Sequence, residues 1–364
     1  MTKQPIKILQ ILDCISIGSG IANVVLNWHR NIDKTQVQFD YLIFEEINPS
    51  FKEEINKLGG NVYTLPYPSF LKPWKFIYSV LRFFKERRYT AIHSHITHLN
   101  FFYFPIAKFY GVKNIILHAH GTKWSDKFLN GVRNRIMLRV VRILITHKFA
   151  CGEAAGKVWY GKNYKVIPNG IDLTKFAFNP ATRHQVREEL GLKDSFVILH
   201  AGRFSTEKNH LFLLDVFNEV YKRNNKAVLL LAGKGPLEDK IRLKTNKLGL
   251  ERVVKFLGMR NDIQNIYQAA DVFLLPSLQE GFPLAALEAQ AAGLGCILSD
   301  SVTKEAGIFN TFFLPLSHTC SWADEVSNIK LLPREKGCEA LNACGFSSGA
   351  IIKQLMSFYS KLES

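Results

Sequence analysis

No run of about eighteen uninterrupted apolar residues occurs anywhere in the 364-residue chain, which excludes a spanning helix and leaves only peripheral contact with a membrane. Met1–Pro5 is polar, and Ile6 to Leu12 is too short for a secretory signal, so a cytoplasmic location is expected. Cysteine is sparse. Cys14, Cys151, Cys296, Cys320, Cys338 and Cys344 form neither CxxC pairs nor zinc-ligand spacings. Buried free thiols of a reducing compartment are expected, with Cys14 and Cys296 lying in strand-like runs. No short repeat and no low-complexity tract appears. Acid is in deficit: 31 Asp and Glu face 47 Lys and Arg, a formal net charge of +16. That excess favours nucleotide phosphates, phospholipid headgroups or nucleic acid. No nucleic-acid-binding module accompanies the charge, so nucleic acid is the weakest of the three.

What is present is an alternation of short apolar runs with helix-length amphipathic stretches, the pattern of α/β parallel sheets. With 47% hydrophobic residues the chain can fill two cores. Strands are expected at Lys7–Leu12, Phe39–Phe44, Val62–Leu65, Ala91–Ser94, Asn114–His118, Leu144–Ala150 and Lys165–Ile167. A turn cluster, Pro168-Asn169-Gly170-Ile171-Asp172, and a polar stretch through Arg187 and Glu189 read as a linker. A second series follows at Phe196–His200, Ala227–Ala232, Val253–Leu257, Val272–Leu275 and Cys296–Ser299. The expected architecture is two Rossmann-like, doubly wound domains, 1–168 and 169–345, facing a cleft. Residues 346–364 have helical periodicity, as one more helix of the second domain or as a segment returning to the first.

Four segments at strand ends carry the chemistry. In Pro276 to Glu288, Pro283 suits the first helical position and Gly293 the end of an alanine-rich helix. The N–H groups around Phe282, Pro283 and Leu284, with Gly281 before them, then form an anion site at a helix N-terminus. Glu280 and Glu288 beside it would repel phosphate unless aimed at hydroxyls, so they read as sugar and ribose acceptors. The plainer reading is a surface glutamate and a helix-flanking acid. In Gly202 to Asn209, Gly202 admits a ligand to the backbone, Arg203 can fork two phosphate oxygens, and Lys208 adds a point charge. Cations are unfavourable at a helix start, which an anion would explain. Gly18-Ser19-Gly20 follows the first strand, but Asn23 breaks the dinucleotide-binding pattern, so the loop reads as a plain turn or a phosphate loop. His118-Ala119-His120 ends the fifth strand, and His93, His95 and His98 form a looser group. Two histidines alone are a poor metal site, and cleft-lining residues are the better reading.

Taken in order, these residues resemble the retaining GT-B glycosyltransferases of family 4, of the bacterial capsule and exopolysaccharide type. The resemblance runs from Gly18 and Gly20 through His120-Gly121, Asn169-Gly170, Gly202-Arg203 and Lys208-Asn209 to the Glu280/Glu288 pair with seven residues between. It implies transfer of a sugar, hexosyltransferase-type, from a nucleotide-diphosphate donor such as a UDP-sugar to a saccharide acceptor carried on a polyprenyl diphosphate. Arg203 and Lys208 would grip the diphosphate, Glu288 the ribose and Glu280 the donor sugar. Gly18 and Gly20 would close over the diphosphate, His120 would lie near the reacting sugar, and Arg260 near the base. The first-domain loop is shorter than the Gly-Gly-hydrophobic-Glu form of many relatives. No Asp-x-Asp stands at a strand end, so neither a metal nor another cofactor is expected. A sugar-nucleotide epimerase of similar fold and a non-catalytic sugar-nucleotide-binding protein are the alternatives.

Two segments suit an anionic membrane surface. From Lys127 to Gly152 there is no acid, and Arg135, Arg139 and Arg142 share a helical face, with Val132, Ile136, Met137, Val140 and Val141 on the other side. Phe70 to Arg88 mixes aromatic and basic residues. Peripheral attachment at the inner face of the cytoplasmic membrane is one expectation. The other is ordinary helices packing their apolar sides on the first sheet.

Overall fold

A computed structural model describes residues 4–68, 72–96, 98–122, 124 and 128–363. Lys127 and Phe70, named above, lie outside them. The chain divides into two compact units, Met1–Gly170 with Ser348–Ser364, and Ile171–Ser347. The boundaries thus fall at 170/171 and 347/348, two residues beyond those read from the sequence.

In chain order the first unit holds β1 (Ile6–Ile11), α1 (Gly20–Asn31), β2 (Val37–Ile43), α2 (Lys52–Lys57), β3 (Val62–Thr64), α3 (Pro73–Glu86), β4 (Ala91–Ser94), α4 (Asn100–Phe109), β5 (Asn114–Ala119), α5 (Phe128–Val141), β6 (His147–Ala150), α6 (Glu153–Tyr160) and β7 (Lys165–Val166). The second holds α7 (Leu173–Phe176), α8 (Pro180–Glu189), β8 (Phe196–Ala201), α9 (His210–Arg223), β9 (Ala227–Ala232), α10 (Glu238–Lys247), β10 (Val254–Gly258), α11 (Ile263–Ala269), β11 (Val272–Leu275), α12 (Leu284–Ala291), β12 (Gly295–Ser299), β13 (Thr311–Leu314), α13 (Thr319–Asn328) and α14 (Lys336–Ala343). The final helix, α15 (Ser348–Tyr359), belongs to the first unit and packs on α1.

Both sheets are parallel, in the orders β3-β2-β1-β4-β5-β6-β7 and β10-β9-β8-β11-β12-β13. Their central strands are largely buried because helices cover both faces. Ala227–Ala232, for example, is buried throughout. Each order reverses once, between β1 and β4 and between β8 and β11. Helices on either side of such a switch go to opposite faces, which leaves the strands' carboxyl ends uncovered.

Several expectations need correction. The polar stretch through Glu189 is not a linker: Pro180–Glu189 is helix α8, with Asn179 capping Thr182 N at 3.0 Å. Polarity there reflects buried ionic bonding. Arg183 Nη2 and Arg187 Nη1 reach the Asp271 carboxylate at 2.5 and 3.3 Å, and Asp271 also accepts the Val197 N–H at 2.7 Å. Leu144 ends a short 3-10 turn, and the sixth strand begins at His147. Strand β13 has no counterpart in the sequence reading, because its Thr311–Leu314 run is brief and half-exposed. Cys14 lies past the end of β1, while Cys320 and Cys344 are exposed; all six thiols are free, and only Cys151 and Cys296 are fully buried.

Asp271→Ala would strand two half-buried guanidinium groups and free the edge of β8. Breaking one side of such a network costs about 3 kcal/mol or more. Denaturant unfolding should show that loss in the second unit's transition, and Asp271→Asn should recover part of it.

Candidate functional site

In the second unit the switch places two loops side by side. Strand β8 pairs with β11 through Ile198↔Val272 and Leu199↔Phe273. The loops leaving their carboxyl ends therefore meet: Leu278 N donates to Glu207 O at 2.7 Å. Lys208 and Glu280, 72 residues apart, form an ion pair with Nζ–Oε1 of 2.5 Å. Ser277 Oγ donates to the same oxygen at 2.7 Å. Lys208 closes the 3-10 turn Thr206–Lys208, two residues before α9 begins. Asn209 makes the bend in the left-handed region, at φ 54°.

Gly202 serves a purpose the sequence did not suggest. A Cβ there would stand 3.3 Å from Lys208 Cε, so the glycine makes room for the lysine stem. Arg203 is exposed beside Glu207, whose carboxyl is held below its usual range by hydrogen bonding first, with Arg203 and Lys208 adding to it. The arrangement offers one exposed guanidinium and one ammonium already neutralised by Glu280.

Helix α12 begins at Leu284, with Pro283 at the N-cap in extended conformation (ψ 98°) rather than in the first helical position. Its leading N–H groups have no preceding turn to bond. Phe282 is buried and stacks on Phe346 with ring centroids 5.5 Å apart, which fixes the Gly281–Leu284 backbone. Glu288 lies one turn further along α12. It is half-buried and accepts from Tyr267 Oη at 2.9 Å. Burial raises its carboxyl above the ordinary value; the Tyr267 bond and Lys175 oppose this only in part. Arg260 is held by Asp262 through two bonds of 2.7 and 2.6 Å, so its guanidinium is engaged rather than free.

In the first unit Gly18 and Gly20 are exposed, in the loop that enters α1. A Cβ at Gly20 would meet nothing, so packing does not require glycine there. Ser19 caps Ala22 N at 3.3 Å, and Asn23 Nδ2 ties the loop to Ile17 O and Ser19 O, both at 2.9 Å. The residue that spoils a dinucleotide fingerprint thus braces the loop.

The histidines are brought together, but not at a surface. Alternation along β4 and past the end of β5 aims His93, His95, His118 and His120 to one face, under Trp28. His118 is 1% exposed, which corrects its reading as a cleft-lining residue; His120 is half-buried. His98 stays apart, 3.4 Å from Asp13. Burial, with the neighbouring imidazoles, holds His93, His95 and His118 far below the usual value, and burial lowers His120 to about 4. Ring nitrogens of His93, His95 and His118 lie within 4.8 Å of one another, as metal ligands could. Yet both nitrogens of His95 are committed to hydrogen bonds, to His120 and Gln10 at 2.8 Å each.

Sequence reasoning missed three contributors. Lys234 lies in the loop after β9, its carbonyl accepting from Phe204 N at 3.0 Å. Gly233 and Gly235 flank it because a Cβ on either would strike the 202–204 backbone. A lysine between two glycines at a strand end was the available signal. Tyr267 and Gln10 carry no signal in the sequence, since their partners come from other elements.

The sequence matches two family models, "Glycosyltransferase Family 4" over residues 18–175 and "Glycosyl transferases group 1" over residues 182–313. It is 33% identical to the EpsF protein of Bacillus subtilis (strain 168) over 97% of this chain and 96% of that one. It is also 33% identical to an Escherichia coli UDP-Gal:alpha-D-GlcNAc-diphosphoundecaprenol alpha-1,3-galactosyltransferase, over 67% of this chain and 66% of that one. Among solved structures, Anabaena Alr3699/HepE in complex with UDP-glucose superposes with a TM-score of 0.82 at 19% identity, covering 98% of this chain and 99% of that one. This last likeness is one of fold.

Glu288 supplies a pH test. Its folded pKa is raised, so ionisation opposes folding: the penalty is absent below the unfolded value of about 4.3 and grows as pH rises through the folded value. Glu288→Gln should therefore melt higher than wild type at pH 7, with the difference vanishing near pH 4. Equal melting temperatures at both pH values would contradict the burial of this carboxyl.

Proposed function

The chain belongs to glycosyltransferase family 4, with the GT-B fold, and on that premise we propose that it moves a sugar, with retention at the anomeric carbon, from a UDP-sugar to a saccharide on a polyprenyl diphosphate in surface polysaccharide synthesis. The observation that carries the donor half is the meeting of Lys208 and Glu280 at the β8–β11 switch. Arg203 takes the diphosphate, and Lys208 exchanges part of its bond to Glu280 for a phosphate oxygen. Glu280, so released, accepts from donor-sugar hydroxyls. Gly202 and the Gly281, Phe282, Pro283 and Leu284 backbone face the phosphates, where fixed N–H groups stabilise the charge that develops on the leaving group. Glu288 accepts from the ribose; Arg260, steered by Asp262, borders the base. On the first unit, His120 attends the reacting sugar, and Gly18 and Gly20 approach the diphosphate. These cations and N–H groups supply the electrophilic stabilisation without a metal. The EpsF and E. coli relatives support the acceptor class.

A charge-assisted contact is worth about 1.5–3 kcal/mol. Arg203→Ala and Lys208→Ala should each weaken UDP binding roughly tenfold or more by calorimetry. Turnover of UDP-sugar to UDP, assayed in EDTA, should require added acceptor. Unchanged affinity in both variants refutes the diphosphate assignment; binding of UDP-sugar with no UDP released even when acceptor is added favours the epimerase or binding-protein alternatives.

The acceptor's lipid implies a membrane surface, and the first unit offers one. Helices α3, α4 and α5 pack in a row. They expose Trp74, Tyr78, Phe109, Leu129, Val132, Ile136 and Val140, with Ile143 next at 90% exposure. This overturns the expectation that α5 packs its apolar side on the sheet: its inward residues are Asn134, Leu138 and Val141. Aliphatic and basic residues instead share the outer side, where Arg135 and Arg139 are exposed. Arg142 differs, donating to Tyr160 O at 3.1 Å. No helix among the described residues is long and apolar enough to cross a bilayer. Each basic residue near an anionic surface contributes about 1 kcal/mol, and the aliphatic side chains add burial. Liposome sedimentation should show binding to phosphatidylglycerol vesicles that falls with salt and with Arg135→Glu/Arg139→Glu, while UDP affinity is unchanged. Failure of the wild type to sediment at low salt rejects the membrane reading.

A further inference from the structure

The buried histidines form two hydrogen-bonded chains. In the first, His120 Nε2 meets His95 Nδ1 at 2.8 Å, and His95 Nε2 meets Gln10 Oε1 at 2.8 Å. In the second, Tyr359 Oη meets His93 Nδ1 at 2.7 Å, and His93 Nε2 meets His118 Nδ1 at 3.2 Å. The Gln10 amide nitrogen makes no hydrogen bond among the described residues. Gln10, His93, His95 and His118 are all buried, and Tyr359 is wholly so.

Every imidazole here is neutral, so each carries one proton and one lone pair, and a chain of such rings can run in only two directions. A fixed group chooses between them. Gln10 presents Oε1 to His95 Nε2 at 2.8 Å, and an amide oxygen can only accept. His95 Nε2 therefore bears the proton, and His95 Nδ1 accepts from His120 Nε2–H. The reverse order would set the His95 Nε2 lone pair against the Gln10 oxygen, two buried acceptors facing each other.

We infer that Gln10 is a positioning residue that holds His120 as the tautomer protonated on Nε2, with its lone pair on Nδ1. That nitrogen is buried without a partner, and so is the Asn169 Oδ1. The Asn169 side chain lies next to the ring. Turning its amide would present N–H to Nδ1 until a hydroxyl of the acceptor competes for the lone pair. The tautomer stands on geometry alone; its use in catalysis rests on the sugar-transfer reading above.

Long-range proton–nitrogen NMR of 15N-histidine-labelled protein reads each ring's tautomer, and His120→Asn identifies the His120 signals. The expected spectrum shows His120 protonated on Nε2 alone. A proton on Nδ1, or averaging between the two, overturns the inference. Gln10→Leu removes the oxygen that accepts from His95 and should let His120 populate both forms, with circular dichroism reporting the fold; an unchanged His120 pattern in a folded Gln10→Leu also overturns it. Should that variant not fold, the wild-type spectrum decides. In the transfer assay Gln10→Leu should lower kcat about tenfold while the donor KM stays within twofold. A shifted tautomer with normal kcat refutes the catalytic use and leaves the tautomer intact.

Discussion

The pairing of β8 with β11 is the constraint on which the candidate site of the second unit depends. These strands lie far apart in sequence, yet the sheet order makes them neighbours where its winding reverses. Because the strands are parallel, both loops leave at the same edge, and neither can be covered by a crossover helix. Lys208 and Glu280 meet for that reason. So does the link between Leu278 and Glu207 that fixes one loop against the other. Glycines follow from the same crowding. Gly202 yields to the lysine stem, and Gly233 and Gly235 yield to the 202–204 backbone.

Charge is managed differently in the two units. In the second unit Lys208 is paired with Glu280, so the two charges are balanced within the protein. Asp271 does similar work for folding, where Arg183 and Arg187 tie α8 to β11 through one carboxylate. In the first unit the buried polar groups are kept neutral instead. Four histidines sit in the sheet's cover layer without a carboxylate among them, and burial keeps them uncharged. Neutral rings can be buried cheaply only if their donors and acceptors alternate. A network of that kind has a direction, which a cluster of charges has not.

The outer layer of α3, α4 and α5 shows a third use of the same residue types. Its helices bury short stripes and leave large apolar side chains exposed beside arginines. An ordinary soluble helix would place these residues inward. Their exposure in three adjacent helices is a property of the layer, since each helix alone reads as amphipathic.

The sequence by itself determined the two α/β series, most strand positions, the loops that carry Arg203, Lys208 and Glu280, and the helix that carries Glu288. Periodicity, helix-breaking residues and strand-end glycines are local signals, and local signals survive in one dimension. It also placed the His-x-His pairs, whose spacing of two aims both rings to one face. Tertiary structure decided the rest. Nothing near Glu189 announces a packed helix, because the partner that makes its polarity useful is Asp271. Nothing around Gln10 marks a group that orients a chain of rings, because His95 and His120 are brought to it from the ends of other strands of the sheet. Which side of α5 would face outward was equally undetermined, since Val132, Ile136 and Val140 are apolar whether or not a sheet covers them. A side chain's chemistry is written in its own residue; whether it is paired, buried or exposed is set by residues that only folding brings near.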